Sequence, residues 1–541
     1  MVSETDFSLF DSHFAGFLAA RSGLSSGDKE QFFDLIAALS RSMSAGHSCH
    51  PLSADECALL KKTTLVSNGS NTPLVIYNSH LYLHRYFLYE SRLARQIKRL
   101  AAVSYEPNVE SGELLDLYFD SSSAMVDWQK RSAAVALEKG LTIISGGPGT
   151  GKTTTVAKII ILLLQAIDSS LRIGLAAPTG KAAMRLQLSV GSSFETISLP
   201  EEIRSALPGE AKTLHRLLGA RRNSPRFNHN GDNPMSWDVV IVDEASMIDL
   251  ALMSKLVDAL KPGSRLILVG DKDQLSSVES GSVLADCIKS LPENTVTLRE
   301  TFRFDRGIQR LAAAVNAGDF DRTYALLEGE TTPNVTLMDD RFSRYAGERY
   351  KTYMEKVSMV HNLGIKAVFA ALADFQVLSS VHRGERGVEG INRNIEFYLA
   401  EKGIACRPGG WYEGRPVLVT RNEYSLGLFN GDIGICISDP RDHRLKVWFE
   451  KEDGGFHTFL PYRLPECETA FAITVHKSQG SEFNEVLVVL PTEDNRVLCR
   501  ELLYTAVTRA RKQVGIVVEE SVLAIGLSRR MQRFSGLAGQ I

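Results

Sequence analysis

The stretch Gly146-Gly147-Pro148-Gly149-Thr150-Gly151-Lys152-Thr153 fits the pattern G-x-x-x-x-G-K-[ST] of a phosphate-binding P-loop. An apolar run, 141–145, precedes it and predicts a strand, and the run 154–167 after it predicts a helix. Glycines let the backbone curl until several N–H groups face one phosphate, and the N-terminus of the next helix adds its positive end. The order strand, loop, helix therefore favours a nucleotide site over a glycine-rich turn, without indicating what the nucleotide drives.

The P-loop also assigns individual roles. Lys152 is expected to reach the β- and γ-phosphates, and Thr153 to bind Mg²⁺. Gln129 lies about one helix upstream, and its amide has the donor and acceptor needed to read the edge of adenine, although a lone glutamine on a helix is usually a surface residue. The candidate nucleotide-binding residues in this region are Gln129, Gly146, Gly147, Pro148, Gly149, Thr150, Gly151, Lys152, Thr153 and Thr154.

Length and composition narrow the class of protein. At 541 residues, with 44% apolar and 23% charged residues, the chain predicts a soluble protein of three or four domains. The net charge of −3 gives no overall basic field, so any nucleic-acid site must be a local channel. The acidic start predicts no signal peptide, and the longest apolar run, 159–164, is too short for a membrane span. Seven cysteines without a C-x-x-C pair suit free thiols in the cytoplasm.

Residues 1–110 predict a helical N-terminal domain. A hairpin is expected around Asn78-Ser79, followed by a basic helix over 86–100 that is either a solvated face or a surface for a partner or DNA. His47, Cys49, His50 and Cys57 lie close in sequence, but their spacing matches no usual zinc pattern, so packing is favoured over a metal site.

Residues 111–310 alternate strand and helix, which predicts a parallel sheet covered on both faces. A fully apolar strand, 239–242, is followed by Asp243 and Glu244, about ninety residues after the P-loop. Asp243 is expected to hold Mg²⁺ through water and Glu244 to polarise the attacking water. Gln274 follows a third strand and is a candidate γ-phosphate sensor. A polar, glycine- and proline-containing stretch predicts a small hairpin insertion at about 220–236.

Residues 311–541 predict a second parallel α/β domain. The segment 304–362 is expected to be helical, and the pair Asp339-Asp340 favours a solvated turn over a nuclease site. Short β runs separated by turns predict a small all-β insertion at about 430–466. The segment 500–511 is expected to form a helix that carries Arg509.

Taken in order, these segments resemble the motifs of superfamily 1 helicases, and the resemblance runs from Gln129 to about Lys512, some seventy per cent of the chain. The later motifs are weak one by one but specific as an ordered set. Thr474-Val-His-Lys-Ser-Gln-Gly480 and Tyr504-Thr-Ala-Val-Thr-Arg-Ala510 resemble the RecD/Pif1-like branch, which moves 5′ to 3′. Segments 46–52 and 73–77 resemble, more loosely, the first domain of RecD subunits of RecBCD-type exonuclease V. One departure is Phe304, where relatives often have Gln after the arginine at 303.

The resemblance implies a fold of two RecA-like parallel-sheet domains with a helical N-terminal domain and a small SH3-like β insertion. It implies an ATP-dependent, Mg²⁺-requiring 5′–3′ DNA helicase that acts in double-strand break repair and homologous recombination. The implied catalytic residues are Lys152, Asp243, Glu244, Gln274, Arg303 and Arg509; the implied Mg²⁺ ligands are Thr153 and Asp243; and Gly480 and Glu482 join the nucleotide site. The DNA-binding candidates are Thr179, Thr213, His215, His476 and Lys477, each of which has an ordinary reading as a helix cap or a packed side chain.

The implied partners are the single-stranded 5′-ended strand at a duplex end and RecB-like and RecC-like subunits, with nuclease activity in a partner subunit. The first 110 residues are expected to dock the motor onto these subunits. Two alternatives stay open at this point. One is a stand-alone RecD-like helicase, and the other is an assembly subunit whose ATPase is vestigial.

Overall fold

Two parallel sheets and two smaller sheets organise the chain. The computed structural model describes residues 7–67, 71–106, 109–119, 127–221, 224–277, 279–300, 306–329, 332, 334–404, 406–423, 425–451 and 454–541. We call residues 109–300 lobe 1, residues 306–528 lobe 2 and residues 529–541 the C-terminal strap. Within the described residues, no helix is long and apolar enough to cross a bilayer.

The N-terminal region combines helices with a four-stranded sheet in the order β1-β4-β3-β2. The sequence predicts a helical domain, so the sheet is a difference from that prediction. Strands β3 and β4 form the predicted hairpin. Asn78 and Ser79 at its turn have φ values of 46° and 57°, the left-handed values that a two-residue turn with matching twist requires. The elements are α1 (Leu9–Ala19), α2 (Ser26–Ser44), β1 (His50–Pro51), α3 (Ala54–Leu60), β2 (Val66–Ser67), β3 (Leu74–Tyr77), β4 (His80–Leu83) and α4 (His84–Ala101).

Helix α4 packs as part of lobe 1. Its buried residues Leu93, Ile97 and Leu100 share one core with Leu252 and Met253 of lobe 1. Burial of such side chains stabilises a structure by roughly 1.5–3 kcal/mol each. The boundary expected near residue 110 therefore follows a helix that lobe 1 needs for its own core.

Lobe 1 is built on a six-stranded sheet in the order β10-β5-β9-β8-β6-β7, and all its pairs are parallel. Strands β5 and β9 are buried throughout, as expected for a sheet with helices on both faces. The stretch expected as a hairpin insertion contains two isolated antiparallel bridges, Ala220 with Phe227 and Asn230 with Asn233. The elements are α5 (Val109–Tyr118), α6 (Trp128–Glu138), β5 (Leu141–Gly146), α7 (Lys152–Ala166), β6 (Ile173–Ala177), α8 (Gly180–Glu195), α9 (Glu201–Ala206), β7 (Ala211–Thr213), α10 (Leu214–Leu217), β8 (Val239–Val242), α11 (Leu250–Asp258), β9 (Arg265–Gly270), α12 (Val283–Ser290) and β10 (Thr295–Leu298).

Lobe 2 is built on a five-stranded parallel sheet in the order β11-β20-β19-β12-β18. Together the lobes confirm the predicted fold class of two parallel-sheet α/β units. The elements of lobe 2, its insertion and the strap are α13 (Arg306–Ala317), α14 (Phe320–Glu328), β11 (Val335–Met338), α15 (Phe342–Ser358), α16 (Val360–Leu363), α17 (Ile365–Asp374), β12 (Phe375–Ser379), α18 (Val388–Glu401), β13 (Pro416–Val419), β14 (Ile433–Ser438), β15 (Leu445–Glu450), β16 (Phe456–Phe459), β17 (Cys467–Thr469), β18 (Ala472–Thr474), β19 (Phe483–Val489), α19 (Arg500–Val507), β20 (Ala510–Val517), α20 (Glu520–Ser528) and α21 (Leu537–Gln540).

Two expectations for lobe 2 were wrong. The segment expected to be helical contains strand β11, which pairs with β20 at the edge of the sheet. The helix expected to run to residue 511 ends at Val507, because Ala510 already belongs to β20. Arg509 therefore lies in the turn between α19 and β20.

The all-β insertion is an antiparallel sheet in the order β16-β15-β14-β13-β17. It has a small core of its own that includes Val417, Cys436 and Phe449. Its first and last strands, 416–419 and 467–469, lie outside the expected range 430–466. Its likeness to an SH3 barrel stays a prediction.

The C-terminal strap leaves lobe 2 and returns to the N-terminal region and lobe 1. Leu537 is buried in the core that α4 shares with lobe 1. The buried carboxylate of Glu90 on α4 accepts hydrogen bonds from the Gly536 N–H at 3.3 Å and the Gln540 amide at 3.1 Å. Burial raises the pKa of Glu90, and hydrogen bonds from Ser48 and Ser535 oppose that rise. The strap thus connects lobe 2 to the N-terminal region and to lobe 1, with the buried carboxylate of Glu90 at the centre of the contact.

Gly536→Ala tests this fastening, because a Cβ at that position would lie 1.9 Å from the hydroxyl oxygen of Tyr82. We expect the substitution to lower the free energy of unfolding by about 1 to 3 kcal/mol, the usual cost of overpacking. Thermal unfolding and limited proteolysis of the strap measure the effect. Gly539→Ala is the matched control, since a Cβ there meets nothing within 4 Å. Equal stability of the two variants would contradict the packing of the strap.

Candidate functional site

A cleft of about 300 Å³ lies where the carboxyl ends of the lobe 1 strands face lobe 2. Parallel α/β sheets bind ligands at this edge. The cleft brings together residues that are far apart in sequence. Its lining residues are Pro148, Gly149, Gly151, Lys152, Thr153, Thr154, Arg185, Asp243, Glu244, Gln274, Glu482 and Arg509.

The P-loop has the backbone form that phosphate binding needs. Gly149 and Gly151 have φ values of 78° and 80°, the left-handed region that favours glycine. Gly151 is the N-cap of α7, so the helix begins at Lys152 and its free N–H groups face the cleft. The Lys152 ammonium donates hydrogen bonds to the carbonyls of Gly146 at 2.7 Å and Gly147 at 3.0 Å.

Gln129 is attached to the same loop. Its side-chain amide donates a hydrogen bond to the Thr150 carbonyl at 3.2 Å, and Asp127 caps the helix that carries it. This contact places the glutamine beside the P-loop. Its role in reading adenine stays a prediction.

Asp243 and Glu244 stand at the end of β8, beside the P-loop. The Asp243 carboxylate accepts a hydrogen bond from the Glu244 N–H at 2.9 Å. Burial and then the neighbouring Glu244 raise the pKa of Asp243 to about 6, while Lys152 opposes the rise. Glu244 has a φ of 52°, a conformation that costs a residue with a side chain of order 1–3 kcal/mol. Such strain is typical of functional sites.

Gln274 and Arg509 connect the lobes across the cleft. An Arg509 Nη atom donates to the Gln274 side-chain oxygen at 2.8 Å, and the Gln274 amide donates to Asp271 at 3.1 Å. Arg509 is 2% exposed, and its guanidinium also donates to the carbonyls of Ser481 and Thr505 at 3.2 Å each. Burial lowers the pKa of Arg509, and the Glu244 carboxylate opposes that effect.

The backbone of Leu275 forms a second connection between the lobes. Its N–H donates to the Thr505 hydroxyl at 2.9 Å, and its carbonyl accepts from the Gln479 amide at 2.8 Å. The Tyr504 hydroxyl donates to Asp271 at 3.1 Å, and a Cβ at Gly147 would lie 2.9 Å from the same hydroxyl. The sequence analysis gave Asp271, Gln479, Tyr504 and Thr505 no individual role. The last three lie in segments quoted for the family resemblance, and the structure adds their contacts across the interface.

Gly480 and Glu482 belong to the turn before β19. Gly480 has a φ of 72°, and a Cβ built on it would lie 3.4 Å from Ala182 of α8, so this turn of lobe 2 touches lobe 1. Glu482 accepts hydrogen bonds from Arg185 of lobe 1 and from Arg511 of its own lobe, the latter at 3.0 Å. Arg185 is a cleft residue that the sequence motifs missed.

Arg303, the other arginine implied by the resemblance, lies outside the described residues, and its role stays a prediction. For the N-terminal residues His47, Cys49, His50 and Cys57, the sequence analysis favoured ordinary packing over a zinc site. Among the described residues, no group of three or more histidine, cysteine, aspartate or glutamate side chains is arranged to hold a metal ion. The four N-terminal histidine and cysteine residues are included in that statement: the ring of His47, for example, lies 4.9 Å from the ring of Phe534. All seven cysteines are free thiols.

The five DNA-binding candidates lie on helix starts and turns. Thr179 and Thr213 are N-caps, whose hydroxyls accept hydrogen bonds from backbone N–H groups at 3.2 Å. The His215 ring lies 5.6 Å from Phe227, edge to face. Burial lowers the pKa of both His215 and His476. Thr179 and Thr213 are thus helix caps and His215 packs against Phe227, and DNA contact by all four residues stays a prediction.

Lys477 has a different surrounding. Its ammonium contacts the side-chain oxygen of Asn430 in the β insertion. Burial lowers the pKa of Lys477. The turn that holds Asn430 also approaches lobe 1, because a Cβ at Gly180 would lie 3.9 Å from the ring of Phe429. The β insertion thus adjoins both candidate DNA segments, the start of α8 and the turn before β19.

Comparison with known proteins identifies relatives over most of the chain. Residues 129–280 match the family model described as AAA domain, and residues 469–517 match that described as UvrD-like helicase C-terminal domain. RecBCD enzyme subunit RecD of Mycolicibacterium smegmatis is 40% identical over 477 residues, 87% of this chain and 83% of the relative. The subunit of the same name from Haemophilus influenzae is 34% identical, over 86% of this chain and 80% of that subunit. The ATP-dependent RecD2 DNA helicase of Deinococcus radiodurans is 33% identical, over 72% of this chain and 49% of that protein.

Thr505→Val tests the connection through Leu275, because it removes the acceptor of a buried N–H and keeps the shape of the side chain. An unpaired buried donor costs about 1–3 kcal/mol, so we expect the ratio of closed to open cleft to fall about 5- to 150-fold. Hydrogen–deuterium exchange of residues 271–277 should rise. Thr508→Val is the control, since among the described residues that hydroxyl donates to the carbonyls of Tyr504 and Thr505, both in its own lobe. Equal exchange in both variants would contradict the connection.

Proposed function

The chain belongs to the RecD family, and from this membership and the geometry of its cleft we propose that it is the ATP-dependent 5′–3′ motor of a RecBCD-type enzyme. The observation that carries the proposal is the hydrogen bond from Arg509 to Gln274, which joins the P-loop lobe to the second lobe at the cleft. An ATP site shared by two lobes makes their relative position depend on the nucleotide. A motor needs that dependence, and a passive binding module does not.

The cleft residues have distinct roles in ATP hydrolysis. Lys152 and the N-terminus of α7 bind the phosphates. Thr153, and Asp243 through a water, would hold Mg²⁺, which would supply positive charge to neutralise the phosphate oxygens. Two protein residues would suffice to hold Mg²⁺, because this ion usually keeps several waters and is bound partly by substrate phosphates. Glu244 accepts a proton from the attacking water and Arg509 stabilises the charge that develops on the transferred phosphoryl group. Gln274 couples the charge on the phosphoryl group to Arg509 and Asp271, its two hydrogen-bond partners.

Work on DNA follows from opening and closing of the cleft. When the lobes approach, the turn at Gly480 moves against α8, and candidate DNA residues lie on both sides of this contact: Thr179 at the start of α8 and Lys477 before β19. A single strand held by both lobes is advanced once per ATP. Melting a duplex costs roughly 1.4 kcal/mol per base-pair step, so unwinding requires repeated turnover. We assign the 5′-ended strand to this motor.

The partners that we propose are RecB-like and RecC-like subunits, one of which carries the nuclease. The side of the N-terminal region that suits docking is a stripe on α1, where Leu9, Phe10 and Phe17 are 82%, 70% and 55% exposed. Large aromatic side chains on one helical face are typical of protein interfaces. Free thiols throughout suit a reducing, cytoplasmic compartment.

The two alternatives fit less well. The stand-alone helicase is less favoured because the likeness to a RecD subunit covers 87% of this chain at 40% identity, against 72% at 33% identity for the RecD2 helicase. A vestigial ATPase would not need to keep the lysine, two acids, glutamine and arginine in one cleft: Lys152, Asp243, Glu244, Gln274 and Arg509. Both alternatives make predictions that differ from ours.

A helicase assay with 5′- and 3′-tailed duplexes tests the proposal. We expect Mg²⁺-dependent ATP hydrolysis stimulated by single-stranded DNA, and unwinding from the 5′ tail only. Lys152→Gln should lower turnover by at least about 100-fold, and Glu244→Gln should keep nucleotide binding while turnover stops. Unwinding from the 3′ tail would exclude the assigned polarity, and a parent protein without ATPase would favour the vestigial alternative.

Docking is tested in the reconstituted three-subunit complex. Deleting residues 1–110 is unsuitable, because α4 belongs to the core of lobe 1. Phe10→Glu places a charge in the proposed interface and should weaken binding by at least about 2 kcal/mol, roughly 30-fold in Kd, as measured by titration calorimetry. Leu117→Glu is the matched control, since Leu117 is 71% exposed on α5. If both variants bound the partners like the parent, another surface would have to dock them.

A further inference from the structure

Arg185 is the cation of the cleft that the helicase motifs do not include. It lies on the second turn of α8, which follows β6 at the nucleotide edge of the lobe 1 sheet. Its guanidinium lines the cleft together with Lys152 and Arg509. The side chain is 32% exposed, so it reaches the cleft and stays accessible to a ligand or a solvent molecule.

The partner of Arg185 is a carboxylate of the opposite lobe. One nitrogen of its guanidinium donates to Glu482, whose side chain is 5% exposed. The other Glu482 oxygen accepts from Arg511 at 3.0 Å. One buried carboxylate is therefore shared by two arginines, one on each lobe, and only the pair with Arg185 crosses the cleft.

The three cations of the cleft differ in their acceptors. Lys152 donates to P-loop carbonyls, and Arg509 donates to an amide oxygen and two carbonyls. Among the described residues, Arg185 alone of these three forms an ion pair with a carboxylate. Burial lowers the pKa of Arg185, but the carboxylates of Glu482, Glu244 and Asp243 outweigh it and raise the pKa. Arg185 thus stays charged and holds Glu482 by an ionic contact.

Glu482 and Arg509 directly precede two adjoining strands of lobe 2, β19 and β20. Glu482 directly precedes Phe483, whose N–H donates to the Arg509 carbonyl at 2.9 Å. The Arg509 guanidinium in turn donates to Ser481, next to Glu482 in the chain. Fixing Glu482 against lobe 1 therefore also fixes the turn that presents Arg509 to the cleft.

We propose that Arg185 is a positioning residue for ATP turnover, which aligns Arg509 by holding Glu482 across the closed cleft. The proposal rests on the proposed ATPase function and adds to it a contact that sets how the lobes meet. It differs from a direct phosphate contact, since the effect of Arg185 passes through Glu482. That dependence on Glu482 is measurable.

A double-mutant cycle on DNA-stimulated ATP hydrolysis provides the test, with Arg185→Ala, Glu482→Ala and the double variant. We expect Arg185→Ala to lower kcat about ten-fold with KM for ATP changed less than about three-fold, and to have no further effect in the Glu482→Ala background. Arg185→Lys keeps the charge and should recover part of the loss. Hydrogen–deuterium exchange of residues 478–483 should rise in Arg185→Ala in the absence of nucleotide.

Arg511→Ala is the matched control, because it removes the other arginine from the same carboxylate without crossing the cleft. Its kcat should stay within about two-fold of the parent, and all variants should unfold within about 2 °C of the parent. An equal ten-fold loss from Arg185→Ala in both backgrounds would overturn the proposal in favour of direct action on the nucleotide. Parent-like turnover of Arg185→Ala would also overturn it, whereas a parent without ATPase would count against the proposed function instead.

Discussion

The hydrogen bond from Arg509 to Gln274 crosses between two parallel sheets, and the organisation of the cleft depends on it. A guanidinium removed from water costs several kcal/mol unless oxygens replace its hydration. Among the described residues, the three acceptors of the Arg509 guanidinium are neutral oxygens, and one of them belongs to lobe 1. Separation of the lobes therefore leaves a charged group short of an acceptor. In the proposed mechanism the same guanidinium stabilises the charge that develops on the transferred phosphoryl group, so nucleotide chemistry and lobe position would share one donor.

Much of the fold could be predicted because its signals are local. Three signals each fix a conformation within a few residues. The structure has a helix start at the P-loop glycines, a strand at the apolar run before Asp243, and a hairpin at Asn78-Ser79. Strand β11 was missed because an edge strand of four residues is specified mainly by its partner β20. The end of α19 was misplaced for a related reason, since Ala510 is drawn into the sheet beside β19.

The site shows the same division between local and distant signals. The sequence located Lys152, Asp243, Glu244, Gln274, Glu482 and Arg509, which line one cleft. It did not locate Arg185 or Thr505, because neither residue is unusual in its own segment and each gains meaning from a contact more than 200 residues away. For Thr179 and Thr213, the sequence left helix caps and DNA contacts both open. The structure has the caps, and a hydroxyl that accepts from a backbone N–H still has a proton to donate to a phosphate.

The C-terminal strap has a consequence for how the chain is made. Gln540 meets Glu90 across 450 residues of sequence, so α4 and the N-terminal sheet are synthesised long before the segment that completes their core. During that interval the Glu90 carboxylate and the core residues that Leu537 later covers lack the strap that buries them. Contacts of such long range form slowly, because the chain between them must first be ordered. The N-terminal region is thus available early to any subunit that binds it, and its final rigidity comes only after both lobes have folded.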